Sequence, residues 1–100
     1  MKTVVESSRY KKEYRKVVNA PKHRKDIHHI LDHVTGILQS GTPMPEKYKD
    51  HQLERMVGHR ECHLKPDLLL IYKQDKGVLR LARIGSHSDL YSRNFQILGV

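Results

Sequence analysis

The stretch Arg60-Glu61-Cys62-His63-Leu64-Lys65-Pro66-Asp67-Leu68-Leu69-Leu70-Ile71-Tyr72 joins the most apolar run of the chain to a dense group of ionisable side chains. Its apolar half, residues 68–72, is typical of a central strand that is covered on both faces. Pro66 offers no N–H to a strand ladder and disfavours helix at the residue before it. Residues 60–65 are therefore predicted as a separate strand.

The polar half of this stretch predicts a functional edge. Side chains alternate along an extended segment, so Glu61, His63 and Lys65 are expected on one face and the residues between them on the other. His63 and Asp67 then bracket the tight turn that leads into the central strand. The apolar core and the ionisable groups meet at this turn.

The sequence before this stretch predicts two helices. Ser7 or Ser8 can cap the first, in which apolar residues recur at helical spacing until Asn19-Ala20-Pro21 interrupts the pattern. A longer apolar stripe then runs from Ile27 to Leu38 and ends at Ser40-Gly41.

The remaining segments predict strands. Residues 2–6 form a short β-favouring piece, and residues 52–54 give a weaker signal. Residues 68–73 and 78–85 are predicted to form a hairpin, because Gly77 in the turn can take a positive φ. The predicted fold class is α+β, with the order β-α-α-β-β-β and two N-terminal helices packed on one face of a small, mainly antiparallel sheet.

Composition limits the possible classes. One hundred residues with 37% hydrophobic content predict a single domain over 1–100, in which 93–100 form a C-terminal tail. The sequence has no apolar run typical of a secretory signal or a membrane span. Its single cysteine, Cys62, is expected to face the core. Both features predict a cytoplasmic protein. Nineteen Lys and Arg against eleven Asp and Glu give a net charge of +8, which favours a polyanionic partner.

Several histidines lie in or next to the strand-rich half: His51, His63 close to Asp67, and His87. Imidazole can pass protons near neutral pH, so such a group in a basic protein suggests RNA cleavage without a metal. In that reaction the ribose 2′-OH attacks the adjacent phosphorus, which requires a base, an acid and nearby cations.

Two further side chains suit an RNA site. Arg83 can hold a phosphate with its planar guanidinium, and Tyr91 can stack on an exposed base. Simple alternation places Arg83 on the face of Leu79 and Leu81, so a bulge, a twist or a half-apolar groove is needed to bring it to the site.

Three ordered motifs carry a resemblance to a known family. Residues 48–53 (Tyr-Lys-Asp-His-Gln-Leu), the opening stretch 60–72, and residues 81–91 (Leu-Ala-Arg-Ile-Gly-Ser-His-Ser-Asp-Leu-Tyr) resemble the YafQ branch of the RelE/ParE toxin superfamily. The resemblance implies the toxin of a type II toxin-antitoxin pair, an mRNA endonuclease that acts in the ribosomal A site and is held inactive by an antitoxin.

The resemblance also implies a site. Its catalytic set is His51, His63, Asp67 and His87, with His87 as general acid, Asp67 or His51 nearest the 2′-OH and His63 orienting. The RNA- and phosphate-binding set is Arg83, Lys49, Arg60, Lys65 and Tyr91. No cofactor or metal is expected; the expected partners are mRNA on the ribosome, an acidic cognate antitoxin and, through the complex with it, operator DNA.

Rival interpretations remain open. His29 and His33 have the spacing of a metal pair on the second helix, but no glutamate lies between them as in zincins, which favours a solvated flank. A non-catalytic basic module of the same fold, similar to the ParE branch, is the alternative function. The chain also departs from the family between Leu53 and Arg60, where relatives often carry a tryptophan and this sequence has Glu-Arg-Met-Val-Gly-His.

Overall fold

A computed structural model describes residues 1–91, so the predicted tail at 93–100 lies outside the described residues. The described part contains three α-helices, a short 3₁₀ helix (Glu46–Tyr48) and five strands. The helices are α1 (Ser8–Asn19), α2 (Ile27–Ser40) and α3 (His87–Tyr91). The strands are β1 (Thr3–Glu6), β2 (His51–Gln52), β3 (His59–Lys65), β4 (Leu68–Asp75) and β5 (Val78–Gly85).

The five strands form one mixed sheet in the order β1-β5-β4-β3-β2. Strand β1 runs parallel to β5, and the other neighbours pair antiparallel. The parallel pair is possible because α1, α2 and the later strands separate β1 from β5 in the chain. The predicted α+β class and mainly antiparallel sheet are confirmed, whereas the weak strand signal at 52–54 overlaps β2 only at Gln52.

The two long helices begin and end where the sequence predicts. The Ser7 hydroxyl accepts a hydrogen bond of 2.9 Å from the Tyr10 backbone N–H, and so caps the start of α1. Gly41 closes α2 with a φ of 76°, a left-handed conformation that favours glycine. The apolar stripes of both helices pack on the same face of the sheet.

Strand β4 is covered on both faces, as predicted. Leu68, Leu70 and Tyr72 belong to the core beneath α1 and α2. Leu69 and Ile71 point to the opposite face, where they form a smaller apolar cluster with Leu90 of α3. This second face is the one that carries the ionisable groups described below.

Cys62 is a core residue, as predicted. Its side chain is fully buried on the helix side of β3, and burial raises the pKa of the thiol well above its ordinary value. Within residues 1–91, every helix is too short or too polar to cross a lipid bilayer.

Candidate active site

Strand register places three ionisable side chains on the sheet face opposite α1 and α2. Glu61 of β3 pairs with Ile71 of β4, and His63 pairs with Leu69. Residues directly opposite each other in a ladder share a face, so Glu61 and His63 lie on the face of the smaller apolar cluster. His51 of β2 pairs with Glu61 and joins them.

Asp67 and His87 complete the group from two adjoining segments. Asp67 lies in the turn between β3 and β4, and His87 is the first residue of α3. One carboxylate oxygen of Asp67 accepts two hydrogen bonds from His87, at 2.9 Å from the backbone N–H and 2.7 Å from the ring Nδ1. The backbone bond and then the ring bond lower the pKa of Asp67 below its ordinary value.

The three imidazoles lie in a row. The His63 ring centroid is 6.4 Å from that of His51 and 5.6 Å from that of His87. Side chains from β2, β3, the following turn and α3 therefore meet at one place, although 36 positions separate the first from the last in the sequence. The structure brings together all four residues of the predicted catalytic set.

Glu61 is the member of the site that the sequence interpretation missed. Its carboxylate is only 5% exposed and lies 3.3 Å from Nε2 of His51 and 3.7 Å from Nε2 of His63. A carboxylate on a strand usually indicates a solvent-exposed position. The available signal was its alternation with His63, which already placed both side chains on one face.

The partners of His51 and His87 restrict their tautomers. Nδ1 of His51 lies 2.9 Å from the Lys49 carbonyl oxygen, so both ring nitrogens face acceptors and only the imidazolium form donates to both. For His87, the Asp67 carboxylate requires a proton on Nδ1, which leaves Nε2 as the nitrogen that exchanges a proton.

Tyr91 is joined to this group through Glu61. Its hydroxyl donates a hydrogen bond to the second carboxylate oxygen of Glu61, and its ring lies 6.5 Å from that of His87. Burial, followed by the bond to Glu61, raises the pKa of Tyr91 above its ordinary value. The hydroxyl therefore remains protonated and donates to Glu61. This hydrogen bond holds α3 against β3.

Arg83 reaches the site face through a bulge, one of the routes that the sequence required. The register of β4 with β5 shifts between Ile71 and Tyr72, so that Ile71 is opposite Arg83 while Tyr72 is opposite Leu81. The guanidinium is 2% exposed and forms a salt bridge with Glu13 of α1. Glu13 therefore engages the guanidinium from α1, and a contact of Arg83 with phosphate stays a prediction.

Three other predicted RNA-binding residues occupy different positions. Arg60 lies on the helix side of β3 and binds Asp50 at 2.6 Å, away from the imidazole cluster. Lys65 leaves the face of His63 because the β3–β4 register shifts there, and it binds Asp26 at 2.8 Å. Lys49 is exposed, and Lys49, Lys65 and His63 line one cleft of about 400 Å³.

Within residues 1–91, no group of three or more His, Cys, Asp or Glu side chains is arranged to hold a metal ion. His29 and His33 are both exposed on α2.

Comparison with known proteins identifies relatives across most of the chain. Residues 2–92 match the family model described as the bacterial toxin of a type II toxin-antitoxin system, YafQ. The mRNA interferase toxin YafQ of Escherichia coli K12 is 37% identical over 84 residues, which cover 82% of this chain and 91% of that protein.

Two solved structures are similar in fold and sequence. A metal-bound toxin from Helicobacter pylori has a TM-score of 0.81 at 41% identity, covering 91% of this chain and 100% of that one. The toxin-antitoxin complex DinJ-YafQ of E. coli matches with a TM-score of 0.76 at 34% identity, covering 90% of this chain and 97% of that one. The family match and these relatives together show that the chain belongs to the YafQ family of toxins from type II toxin-antitoxin systems.

Proposed function

We propose that this chain is an mRNA interferase of the cytoplasm, which cuts mRNA in the ribosomal A site by attack of a ribose 2′-OH on the adjacent phosphate. One observation carries the proposal: two imidazoles, each close to its own carboxylate, lie with ring centroids 5.6 Å apart on the sheet face opposite the long helices. The net charge of +8 supports a polyanionic substrate. Relatives named mRNA interferase support the same activity.

The Asp67–His87 pair suits the general acid. Asp67 fixes the proton of Nδ1, so a protonated His87 has Nε2–H to offer to the leaving 5′-oxygen. Both groups are about half exposed, which leaves room for a substrate. This is the arrangement in which one nitrogen of an imidazole is oriented by a carboxylate and the other does the chemistry.

The Glu61–His63 pair suits the general base. Nε2 of His63 faces the buried Glu61 carboxylate at 3.7 Å, which is longer than a hydrogen bond but favours the neutral tautomer that carries its proton on Nε2. No other residue within 1–91 bonds to Nδ1 of His63, so this nitrogen can take the proton of the 2′-OH.

These roles differ from the sequence-based hypothesis, which placed Asp67 or His51 nearest the 2′-OH. Asp67 already accepts two hydrogen bonds from His87, and both nitrogens of His51 face acceptors. His63 therefore changes from an orienting residue to the base. His51 lies 3.3 Å from the Glu61 carboxylate, where its protonated form would offset the charge of Glu61 and of the phosphate.

The proton transfers balance in this arrangement. The 2′-oxygen forms a bond to phosphorus as its proton passes to His63. The bond between phosphorus and the 5′-oxygen breaks as His87 gives that oxygen a proton. The products are a 2′,3′-cyclic phosphate and a 5′-hydroxyl, and each proton transfer contributes about 10²- to 10⁴-fold to the rate.

Charge on the nonbridging phosphate oxygens requires cations close to the histidines. We assign this role to His51 and to Lys49, which lines the cleft next to His63. Arg83 is assigned a structural role instead, because its guanidinium is buried against Glu13. Arg60 and Lys65 are likewise engaged by Asp50 and Asp26.

The proposal is tested on ribosomes programmed with a synthetic mRNA, in buffer that keeps Mg²⁺ for the ribosome and contains phenanthroline to remove transition metals. We expect cleavage in the A-site codon, and an intact message when ribosomes are omitted. Cleavage that stops with phenanthroline would indicate a metal enzyme. Tight binding of an uncut message would indicate the non-catalytic basic module.

We also propose an acidic antitoxin as partner, since a DinJ-YafQ complex is known for a relative and this chain is strongly basic. Attraction between opposite charges weakens as salt rises. The affinity for a co-expressed antitoxin should therefore decrease as NaCl is raised from about 0.05 M to about 0.5 M, because the added salt screens the opposite charges. Affinity that is independent of salt would instead indicate an apolar interface. Operator DNA would be bound through this complex.

A further inference from the structure

The carboxylate of Asp50, one residue before His51, is held on the helix side of the sheet, opposite the imidazole cluster. Its Oδ1 atom accepts a hydrogen bond of 2.6 Å from Nε of Arg60, and its Oδ2 atom accepts one from the Tyr72 hydroxyl. The side chain of Asp50 is 10% exposed, so little water competes for these bonds. This carboxylate takes no part in the proton transfers described above.

Both partners of Asp50 belong to interior strands of the sheet. Arg60 of β3 and Tyr72 of β4 are directly opposite each other in the ladder, so their side chains share the helix side. Burial, followed by the bond to Asp50, raises the pKa of Tyr72 above its ordinary value, and the bond to Asp50 also raises the pKa of Arg60. The Asp50 carboxylate is therefore tied to two interior strands by donors that keep their protons.

Strand β2 itself is short and peripheral. It consists of two exposed residues at the edge of the sheet. Lys49, two residues before the end of this segment's polar pair, has a φ of 49°, a left-handed conformation that a residue with a Cβ disfavours. Such a backbone persists where the surrounding structure holds it. The bonds of Asp50 supply this restraint at the very next residue.

The contacts of Asp50 and His51 lie on opposite faces of the sheet, as alternation along an extended segment requires. While the Asp50 carboxylate is bound on the helix side, Nε2 of His51 lies 3.3 Å from Glu61 on the site face. The other ring nitrogen, Nδ1, lies 2.9 Å from the carbonyl oxygen of Lys49, so the ring also depends on the same backbone. The backbone of residues 49–51 therefore sets the position of the His51 ring in the cluster.

We infer that Asp50 is a positioning residue for cleavage. Through Arg60 and Tyr72 it holds residues 49–51, so that the His51 imidazole stays beside the scissile phosphate. The inference rests on the proposed function, in which His51 offsets the charge of the phosphate. Asp50 lies on the other face of the sheet from the reacting groups, and its own negative charge repels RNA. Its contribution to cleavage is therefore made through the position of His51.

NMR of the free protein tests the position of His51 without requiring catalysis. In the wild type we expect a nuclear Overhauser cross-peak between the His51 and His63 rings, whose centroids are 6.4 Å apart, and another between His63 and His87, at 5.6 Å. Asp50→Asn keeps the shape of the side chain, but its neutral amide has one acceptor oxygen instead of two. This variant should weaken the first cross-peak and keep the second. Equal cross-peaks in the variant and the wild type would overturn the inference.

Cleavage on programmed ribosomes gives the matching kinetic test. Asp50→Asn should lower kcat about 10- to 100-fold, since a displacement of about 1 Å at a reacting centre can cost as much as 10²-fold. KM should stay within about 2-fold, because the loss of a negative charge does not weaken the attraction for RNA. The control Asp75→Asn removes the same charge from an exposed pair with Arg80 and should keep both constants within about 2-fold of the wild type. A loss confined to KM, or the same kcat in both variants, would overturn the inference.

A double variant separates positioning from a general loss of stability. In a His51→Ala background, Asp50→Asn should change kcat by less than about 2-fold, because the group that Asp50 positions is no longer present. Losses that multiply in the double variant would contradict the inference. A wild type that does not cut mRNA would overturn the proposed function instead, while the cross-peaks would still report whether Asp50 holds His51.

Tyr72→Phe provides a second variant that keeps the buried ring. It removes only the hydroxyl that donates to Asp50, from a side chain that lies in the core on the helix side. We expect it to weaken the cross-peak between His51 and His63 and to lower kcat, both less than Asp50→Asn does. If Asp50→Asn does not fold, Tyr72→Phe decides alone, and an unchanged cross-peak in this variant would refute the positioning role.

Discussion

His87→Ala is expected to slow mRNA cleavage by about 10²- to 10⁴-fold, the usual contribution of one positioned proton donor. The imidazole is the only part of the Asp67–His87 pair that can protonate the leaving 5′-oxygen, because the Asp67 carboxylate is an acceptor. The fold should remain, since the His87 side chain is about half exposed. Its backbone N–H, which also bonds to Asp67, is kept in alanine.

The matched control is His29→Ala, which removes an exposed imidazole from α2, on the other side of the molecule from the cluster. Its cleavage rate should stay within about 2-fold of the wild type, as for an ordinary surface substitution. Both rates are measured in single turnover on programmed ribosomes, and circular dichroism checks that both variants fold. Equal activity of His87→Ala and the wild type would remove His87 from the reaction.

Glu13→Ala is expected to cost about 3–5 kcal/mol of unfolding free energy, which is the effect of breaking a buried ion pair from one side. The Glu13 carboxylate bonds to the guanidinium of Arg83 and accepts the Ile84 backbone N–H at 3.2 Å. Its loss leaves a charge buried at 2% exposure and a backbone donor without this partner. This loss is a large part of the 5–15 kcal/mol that stabilises a typical domain.

Urea unfolding followed by circular dichroism measures this loss. The control is Asp75→Ala, which breaks an exposed pair with Arg80 and should cost less than about 1 kcal/mol. The double variant Glu13→Ala with Arg83→Met removes both charges and should recover most of the stability. If Glu13→Ala and Asp75→Ala lose the same free energy, the Arg83 pair does not hold α1 to β5.

The fold was predictable where local chemistry decides it. Pro66, Gly77 and Gly41 mark turns and a helix end through their own backbone restrictions, and the strands and helices begin and end close to these signals. Residues 68–72 are apolar at every position, and all five are buried. What the sequence left open was the partner of β1, because pairing with β5 depends on packing across the whole chain rather than on residues 2–6.

The site was predictable only in part. The four residues His51, His63, Asp67 and His87 follow from the motifs, and they converge. The ion-pair partners of the site residues could not be predicted from the sequence, because these partners lie in distant segments and register shifts bring them together. The bulge opposite Ile71 turns Arg83 to the site face, yet Glu13 of α1, 70 positions earlier, binds it.

The same cause explains two further differences. Lys65 departs from strict alternation because the register of β3 shifts between His63 and Lys65, which brings the ammonium to Asp26. Glu61 was overlooked because burial of a carboxylate on β3 depends on donors from other elements, including the Tyr91 hydroxyl of α3. The alternation of side chains along a strand predicts the sheet face on which a side chain lies. It does not predict which groups from other elements contact that side chain.

A message with a single 2′-deoxyribose on the 5′ side of the scissile phosphate tests the central claim most directly. The deoxyribose lacks the attacking hydroxyl, so the account predicts that cleavage at this linkage is lost, while the all-ribose message yields a 2′,3′-cyclic phosphate and a 5′-hydroxyl. Cleavage of the deoxy message at the wild-type rate, or products with a 5′-phosphate, would contradict the account.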